Sequence, residues 1–140
     1  MMLLTEGVEK VFIHHLRSTW HIPAGIEAYF GIINRDMSWK PAAHAFAAFT
    51  KQMPAYSTRP VLTKKGDCYR ADWRRPDGKK CAAFWRESTR TENLPLEIKG
   101  KCVITNYLGV EEQVLPNGGK MDLSVGPGIV YLQYENAVNW

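Results

Sequence analysis

The sequence of 140 residues is 45% hydrophobic and 11% aromatic, and its net charge is +4 at neutral pH. That length and apolar content suit one globular core, and no apolar run approaches the roughly 18 residues of a membrane span, so a soluble chain with no membrane partner is expected. The basic residues from Lys64 to Arg90 are interrupted by Asp67, Asp72, Asp77 and Glu87, which reads as a solvated sheet face rather than a nucleic-acid footprint.

The opening Met-Met-Leu-Leu-Thr-Glu-Gly lacks a basic n-region, a long apolar stretch and a small-residue cleavage site, so no secretion signal is expected and the compartment stays open. Val8 to His14 is rich in β-branched and aromatic residues after Gly7, a pattern that predicts a short buried parallel strand. A loop carrying Arg17, Trp20, His21 and Pro23 follows, then a short apolar stretch from Tyr29 to Ile33 and a turn at Asn34-Arg35-Asp36. The next segment, Lys40-Pro41-Ala42-Ala43-His44-Ala45-Phe46, opens with proline where a missing N–H is harmless and continues with the best helix former. It predicts a helix from about Pro41 to Met53, with Phe46, Phe49 and Met53 as one apolar stripe.

Pro54 and Pro60 bracket a connector, beyond which the hydrophobic period changes from 3.6 to 2. Asp67 to Arg75 and Lys79 to Glu87 flank Pro76-Asp77-Gly78, which predicts a hairpin. In that register Tyr69, Ala71 and Trp73 oppose Trp85, Ala83 and Cys81 on an apolar face, and Arg70, Asp72, Arg74, Lys80 and Arg86 form a wet one. Further strands are expected at Leu96 to Ile98, Cys102 to Tyr107, Glu112 to Leu115, Lys120 to Val125 and Ile129 to Tyr134. The expected fold class is therefore mainly β, an antiparallel β-sandwich of about seven or eight short strands with an N-terminal strand, loop and helix. Residues 1–57 and 58–140 form the two expected regions. Cys68, Cys81 and Cys102 show no paired spacing, and the register sets Cys68 and Cys81 on opposite faces, so buried thiols are expected.

Tyr29-Phe30-Gly31-Ile32-Ile33-Asn34-Arg35-Asp36 followed by the Lys40-Pro41-Ala42 helix resembles the end of the (β/α)8 barrel in retaining glycoside hydrolases of the large clan that includes many cellulases, xylosidases and mannanases. The later segments Val103-Ile104-Thr105-Asn106-Tyr107-Leu108-Gly109 and Leu123-Ser124-Val125-Gly126-Pro127-Gly128-Ile129-Val130-Tyr131-Leu132 resemble the β-sandwich beside that barrel. The resemblance implies a C-terminal part of such an enzyme, its eighth barrel strand near Val8 to His14.

Glycoside hydrolysis by such enzymes needs a nucleophile and an acid/base carboxyl about 5 Å apart. By the resemblance both lie on earlier barrel strands, so no catalytic residue is expected here. Glu6 mimics a nucleophile motif, yet only Gly7 separates it from the next strand, where a barrel requires a whole helix. The expectation is a non-catalytic, structural or interaction region of a protein acting on β-linked carbohydrate, with a stand-alone carbohydrate-binding module as the alternative. The loop after the eighth strand would face the sugar, which singles out Trp20, His15 and Arg17 as carbohydrate-binding candidates. Adjacent His14 and His15 on a strand point apart, so no metal site is expected, and no cofactor is implied. Carbohydrate and a second copy of the chain, through a sheet edge or the N-terminal segment, are the expected partners.

Overall fold

Pro76-Asp77-Gly78 turns the chain between β2 (Cys68–Arg74) and β3 (Lys80–Arg86), with Gly78 at φ +83°, a conformation open chiefly to glycine. The register is the expected one, with Tyr69 opposite Trp85, Ala71 opposite Ala83 and Trp73 opposite Cys81. The computed structural model of the chain describes residues 2–9, 11–18 and 29–140. In it the hairpin grows into a six-stranded antiparallel sheet, ordered β1 (Val61–Lys65), β2, β3, β8 (Val130–Tyr134), β5 (Cys102–Asn106) and β6 (Glu111–Val114). A three-stranded sheet, ordered β7 (Lys120–Val125), β4 (Glu92–Ile98) and β9 (Val138–Asn139), faces it. The expected mainly β sandwich forms. Two strands, β1 and β9, were not legible: Thr-Lys-Lys and Val-Asn carry too little apolar alternation to be recognised.

Cys68, Ala82, Phe84 and Leu132 from the large sheet pack on Leu96, Ile98, Leu123 and Val125 of the small one. This is the main core. The opposite face of the large sheet presents Trp73, Cys81, Ala83 and Tyr131, covered by Ala48, Phe49 and Met53. Those three belong to or follow α2 (Pro41–Gln52), which starts with proline at its first turn as expected. The central strands β2, β3 and β8 are thus buried on both faces, while β1 and β6 stay largely exposed. The expected wet face is corrected accordingly: Arg70 is 7% exposed, and Ala82 and Phe84 beside it are sealed between the sheets. Arg70 is tolerated there because its donors reach the Asp72 carboxylate at 2.7 Å, the Val138 carbonyl at 2.9 Å and the Tyr134 hydroxyl, which satisfies a buried charge locally. Cys68 and Cys81 sit in different cores and all three thiols are free. Burial raises each thiol's pKa, that of Cys81 to about 11.

The N-terminal part departs from expectation. Residues 8–9 and 11–14 form no strand; instead α1 (Met2–Thr5) makes one helical turn, and the pairing among the described residues of this part is an isolated parallel bridge from Arg17 to Ile33 and an antiparallel one from Ile33 to Trp39. A parallel strand is stable when neighbours bond both edges and cover both faces, and here Val11, Phe12, Ile13 and Leu16 are exposed. Glu6 follows the α1 turn rather than ending a strand.

Arg70→Ala is expected to lower stability by about 2–3 kcal/mol, because Asp72 and the Val138 carbonyl lose a buried charged donor, whereas Arg74→Ala on the same strand changes it by less than about 0.5 kcal/mol. Urea denaturation monitored by tryptophan fluorescence measures both, and equal losses would contradict the buried position of Arg70.

Candidate functional site

Two recesses lie on the α2 side of the chain. The larger, of about 730 Å³, is bounded by Phe46, Phe49 and Met53, by Leu3, Leu4 and Val11 of the N-terminal segment, and by Tyr56, Tyr107, Ile129 and Tyr131. Helical spacing supplies the first wall, since residues three and four apart share one face. Phe49 and Met53 lean on the sheet, whereas Phe46 remains 43% exposed at the rim. The second wall depends on Gly128: a Cβ there would lie 2.9 Å from the Tyr107 ring, so only glycine lets the β5–β6 turn close against the start of β8. Tyr131, 2% exposed, forms the floor, edge-on to Trp73, and burial pushes its hydroxyl up to about 12. At neutral pH it is a neutral phenol, so the groove offers apolar and aromatic surface with little charge.

The smaller recess, of about 370 Å³, is polar and is lined by Ser18, Tyr29, Asn34, Arg35 and Asp36. The Lys40 ammonium donates to the Ser18 hydroxyl and the Tyr29 carbonyl, both at 2.8 Å, and ties the helix entry to the segment before it. Gly31 makes the close approach possible, because a Cβ there would meet the Ser18 backbone nitrogen at 2.1 Å. The Arg35 guanidinium covers the Tyr29 ring at 5.3 Å. Asp36 accepts hydrogen bonds from the Ser38 hydroxyl and N–H, which hold its carboxyl below the usual range.

Of the residues singled out from sequence, Trp20 lies outside the described residues. His15 is partly buried with its ring against His14 at 4.2 Å, and Arg17 is exposed with Nη1 3.8 Å from the Met37 sulfur. Neither lines the large groove. The Trp39 and His44 rings lie 5.1 Å apart, and both residues are exposed. Among the described residues no group of three or more His, Cys, Asp or Glu side chains stands together as a metal site. The aromatic floor and the Tyr56 and Tyr107 rims were missed. Tyr131 alternates correctly within its strand, but nothing local in the sequence marks the exposed Tyr56 or Tyr107 as facing α2.

The other charged cluster lies on β2 and β3, where Trp85 stacks on Tyr69 with ring centroids 5.3 Å apart and planes within 5°. Glu87 accepts from the Tyr69 hydroxyl and pairs with Lys64 at 3.1 Å, and these contacts hold its carboxyl low. Asp67 is lowered first by the Ser88 hydroxyl and then by the Arg86 charge.

No family model matches the sequence, and no curated protein matches it. Solved structures do match. A family 39 glycoside hydrolase from the gut symbiont Bacteroides cellulosilyticus superposes with a TM-score of 0.66 at 19% identity, over 86% of this chain and 25% of its own. The catalytic domain of the glycoside hydrolase family 30 xylanase C from Talaromyces cellulolyticus gives 0.52 at 12% identity, over 76% and 28%. The chain shares its fold with part of these hydrolases. It spans about a quarter of their length, and the likeness in backbone accords with the resemblance carried by the Lys40-Pro41-Ala42 helix and the later strands.

The depressed carboxyls give a pH dependence of definite sign. Asp36, Asp67 and Glu87 have folded pKa values below the ordinary 3.8 and 4.5, so their contribution is present above those values and is lost as pH falls through the folded ones. The urea midpoint is expected to hold from about pH 7 to pH 5 and to drop below about pH 4.5, with Glu87→Gln flattening the acid limb. A midpoint that rises on acidification contradicts the assignment.

Proposed function

We propose that the chain is a non-catalytic region of a glycoside-hydrolase-like protein acting on β-linked carbohydrate, a β-sandwich that supports a larger catalytic body. The observation that carries this reading is the unfinished layer at residues 1–57. Val11, Phe12, Ile13, Leu16, Trp39 and Phe46 are exposed apolar side chains, and the parallel bridge between Arg17 and Ile33 is continued among the described residues by no more than a single antiparallel bridge from Ile33 to Trp39. Exposed apolar surface on this scale marks an interaction face, and an open parallel bridge is completed by further parallel strands, which in α/β proteins are covered by helices. The share of the neighbours' length left uncovered, about three quarters, is enough chain to supply that body. The division into 1–57 and 58–140 then separates the docking layer from the sandwich.

A second reading, carbohydrate binding by the chain alone, draws on the Tyr69 and Trp85 stack: Trp85 is half-buried, and Lys64 and Glu87, both on the Tyr69 hydroxyl, are polar groups that could hydrogen-bond a sugar. Arg17 and His15 line neither recess and would contribute only once a body completes the sugar-facing side.

Two assays separate the readings. The purified chain is expected to leave aryl β-glycosides intact, and turnover that Glu6→Gln abolishes would overturn the non-catalytic assignment. In affinity electrophoresis through soluble xylan or glucan the chain is expected to migrate unretarded. Retardation lost on Trp85→Ala would replace the support role with carbohydrate binding.

A further inference from the structure

Six strands in strict antiparallel alternation leave the two outer strands of the large sheet, β1 and β6, running in opposite directions, each with one edge unpaired among the described residues. A second copy related by translation would therefore bring its β6 alongside β1 in the antiparallel sense that extends the sheet. The two edges differ in chemistry. β1 ends in Lys64-Lys65, and β6 begins with Glu111-Glu112.

The faces agree as well. Lys64 lies opposite Tyr69, which lies opposite Trp85, while Glu111 lies opposite Thr105 and Thr105 opposite Tyr131; both therefore project on the α2 side. Lys65 lies opposite Cys68 and Glu112 opposite Ile104, so both project on the side of the small sheet. Because side chains alternate with a period of two, antiparallel registers that keep faces matched set Lys64 near Glu111 and Lys65 near Glu112, one pair directly opposite and the other diagonal. Exposed apolar residues flank the charges on both edges, Val61 on one and Val110 and Leu115 on the other. The α1 turn stands beside the Arg59 to Leu62 end of β1, and at the lysine end Lys65 donates to the Trp140 carbonyl and lies over that residue's ring at 5.0 Å, a contact the exposed ammonium gives up on pairing.

We propose that copies of this chain associate head to tail, the basic β1 edge of one pairing with the acidic β6 edge of the next to continue the sheet. Two-fold pairing of either edge with itself sets like charges against each other and is disfavoured. The contact is heterologous, so it propagates instead of closing as a dimer. Lys64 and Glu111 now pair with Glu87 and Lys51 at 3.1 and 3.0 Å, but these are exposed pairs, which exchange partners at little cost. Glu112 has no ion pair among the described residues.

Sedimentation velocity of the full chain across a concentration series tests this. At low salt the average mass is expected to grow beyond two copies with concentration, and to fall several-fold as salt is raised. Association through apolar surface strengthens with salting-out ions, so the direction of the salt effect separates this contact from docking through residues 1–57. Charge reversal at either edge, Lys64→Glu with Lys65→Glu or Glu111→Lys with Glu112→Lys, is expected to give a monomer. Mixing the two reversed proteins, each folded by circular dichroism, is expected to restore association, since the acidic β1 edge of the first meets the basic β6 edge of the second. Growth that stops at a dimer, a monomer at all concentrations, or reversed variants that associate as the parent does would overturn the proposal.

Discussion

Gln52 joins three strands to one helix, and the layered build of the chain depends on it. The residue ends α2 and is wholly buried. Its side-chain amide donates to the Thr105 hydroxyl at 3.0 Å on β5 and its side-chain carbonyl accepts from Gln133 at 2.7 Å on β8, while its backbone carbonyl accepts the Trp73 indole N–H at 3.1 Å on β2. A buried amide left unpaired costs more than a typical hydrogen bond returns, so the helix has one seat on the sheet where every polar atom of Gln52 finds its partner. Apolar contact of Phe49 and Met53 with Trp73 and Tyr131 supplies the attraction, and the polar set at Gln52 supplies the position.

That seat shapes everything on the α2 side. With the helix placed, Phe46 overhangs the sheet, Tyr107 closes over Gly128, and the space between them becomes a groove floored by Tyr131. The same placement draws Lys40 onto Ser18 and Tyr29, so the segment before the helix is tied to it through its lysine as well as its backbone. The surface that results is apolar, aromatic and weakly charged. The charged residues gather elsewhere, on the β2–β3 hairpin and on the outer edges of the large sheet.

Double-sided burial explains why the large sheet reads ambiguously in sequence. The strand Lys80-Cys81-Ala82-Ala83-Phe84-Trp85-Arg86 contains five consecutive apolar residues, of which Cys81, Ala83 and Trp85 meet the helix layer and Ala82 and Phe84 meet the small sheet. Alternation alone assigns Arg70 and Asp72 to water because they are charged. The inter-sheet space instead accepts them as a neutralised pair, closed by Tyr134 and the Val138 carbonyl. Charge in a sequence therefore marks a wet face only where no partner of opposite sign shares the interior.

The local features of this chain were legible because they are set by short-range chemistry. Proline at the head of an alanine-rich run starts α2, Pro76-Asp77-Gly78 forces the β2–β3 turn, and glycine punctuation places five further strands within a few residues of where they run. The resemblance carried by those segments also foretold the hydrolase-like fold. Only the tertiary structure decided which faces are buried, that residues 8–9 and 11–14 pair as no strand among the described residues, that β1 and β9 complete the sheets, and that Tyr107 and Tyr131 share a groove with Phe46. These depend on which elements pack against one another, Tyr107 with Gly128, β9 with β4 and Gln52 with Thr105 and Gln133, and that choice is made by which surfaces remain unburied once the local elements exist, a quantity no window of sequence contains.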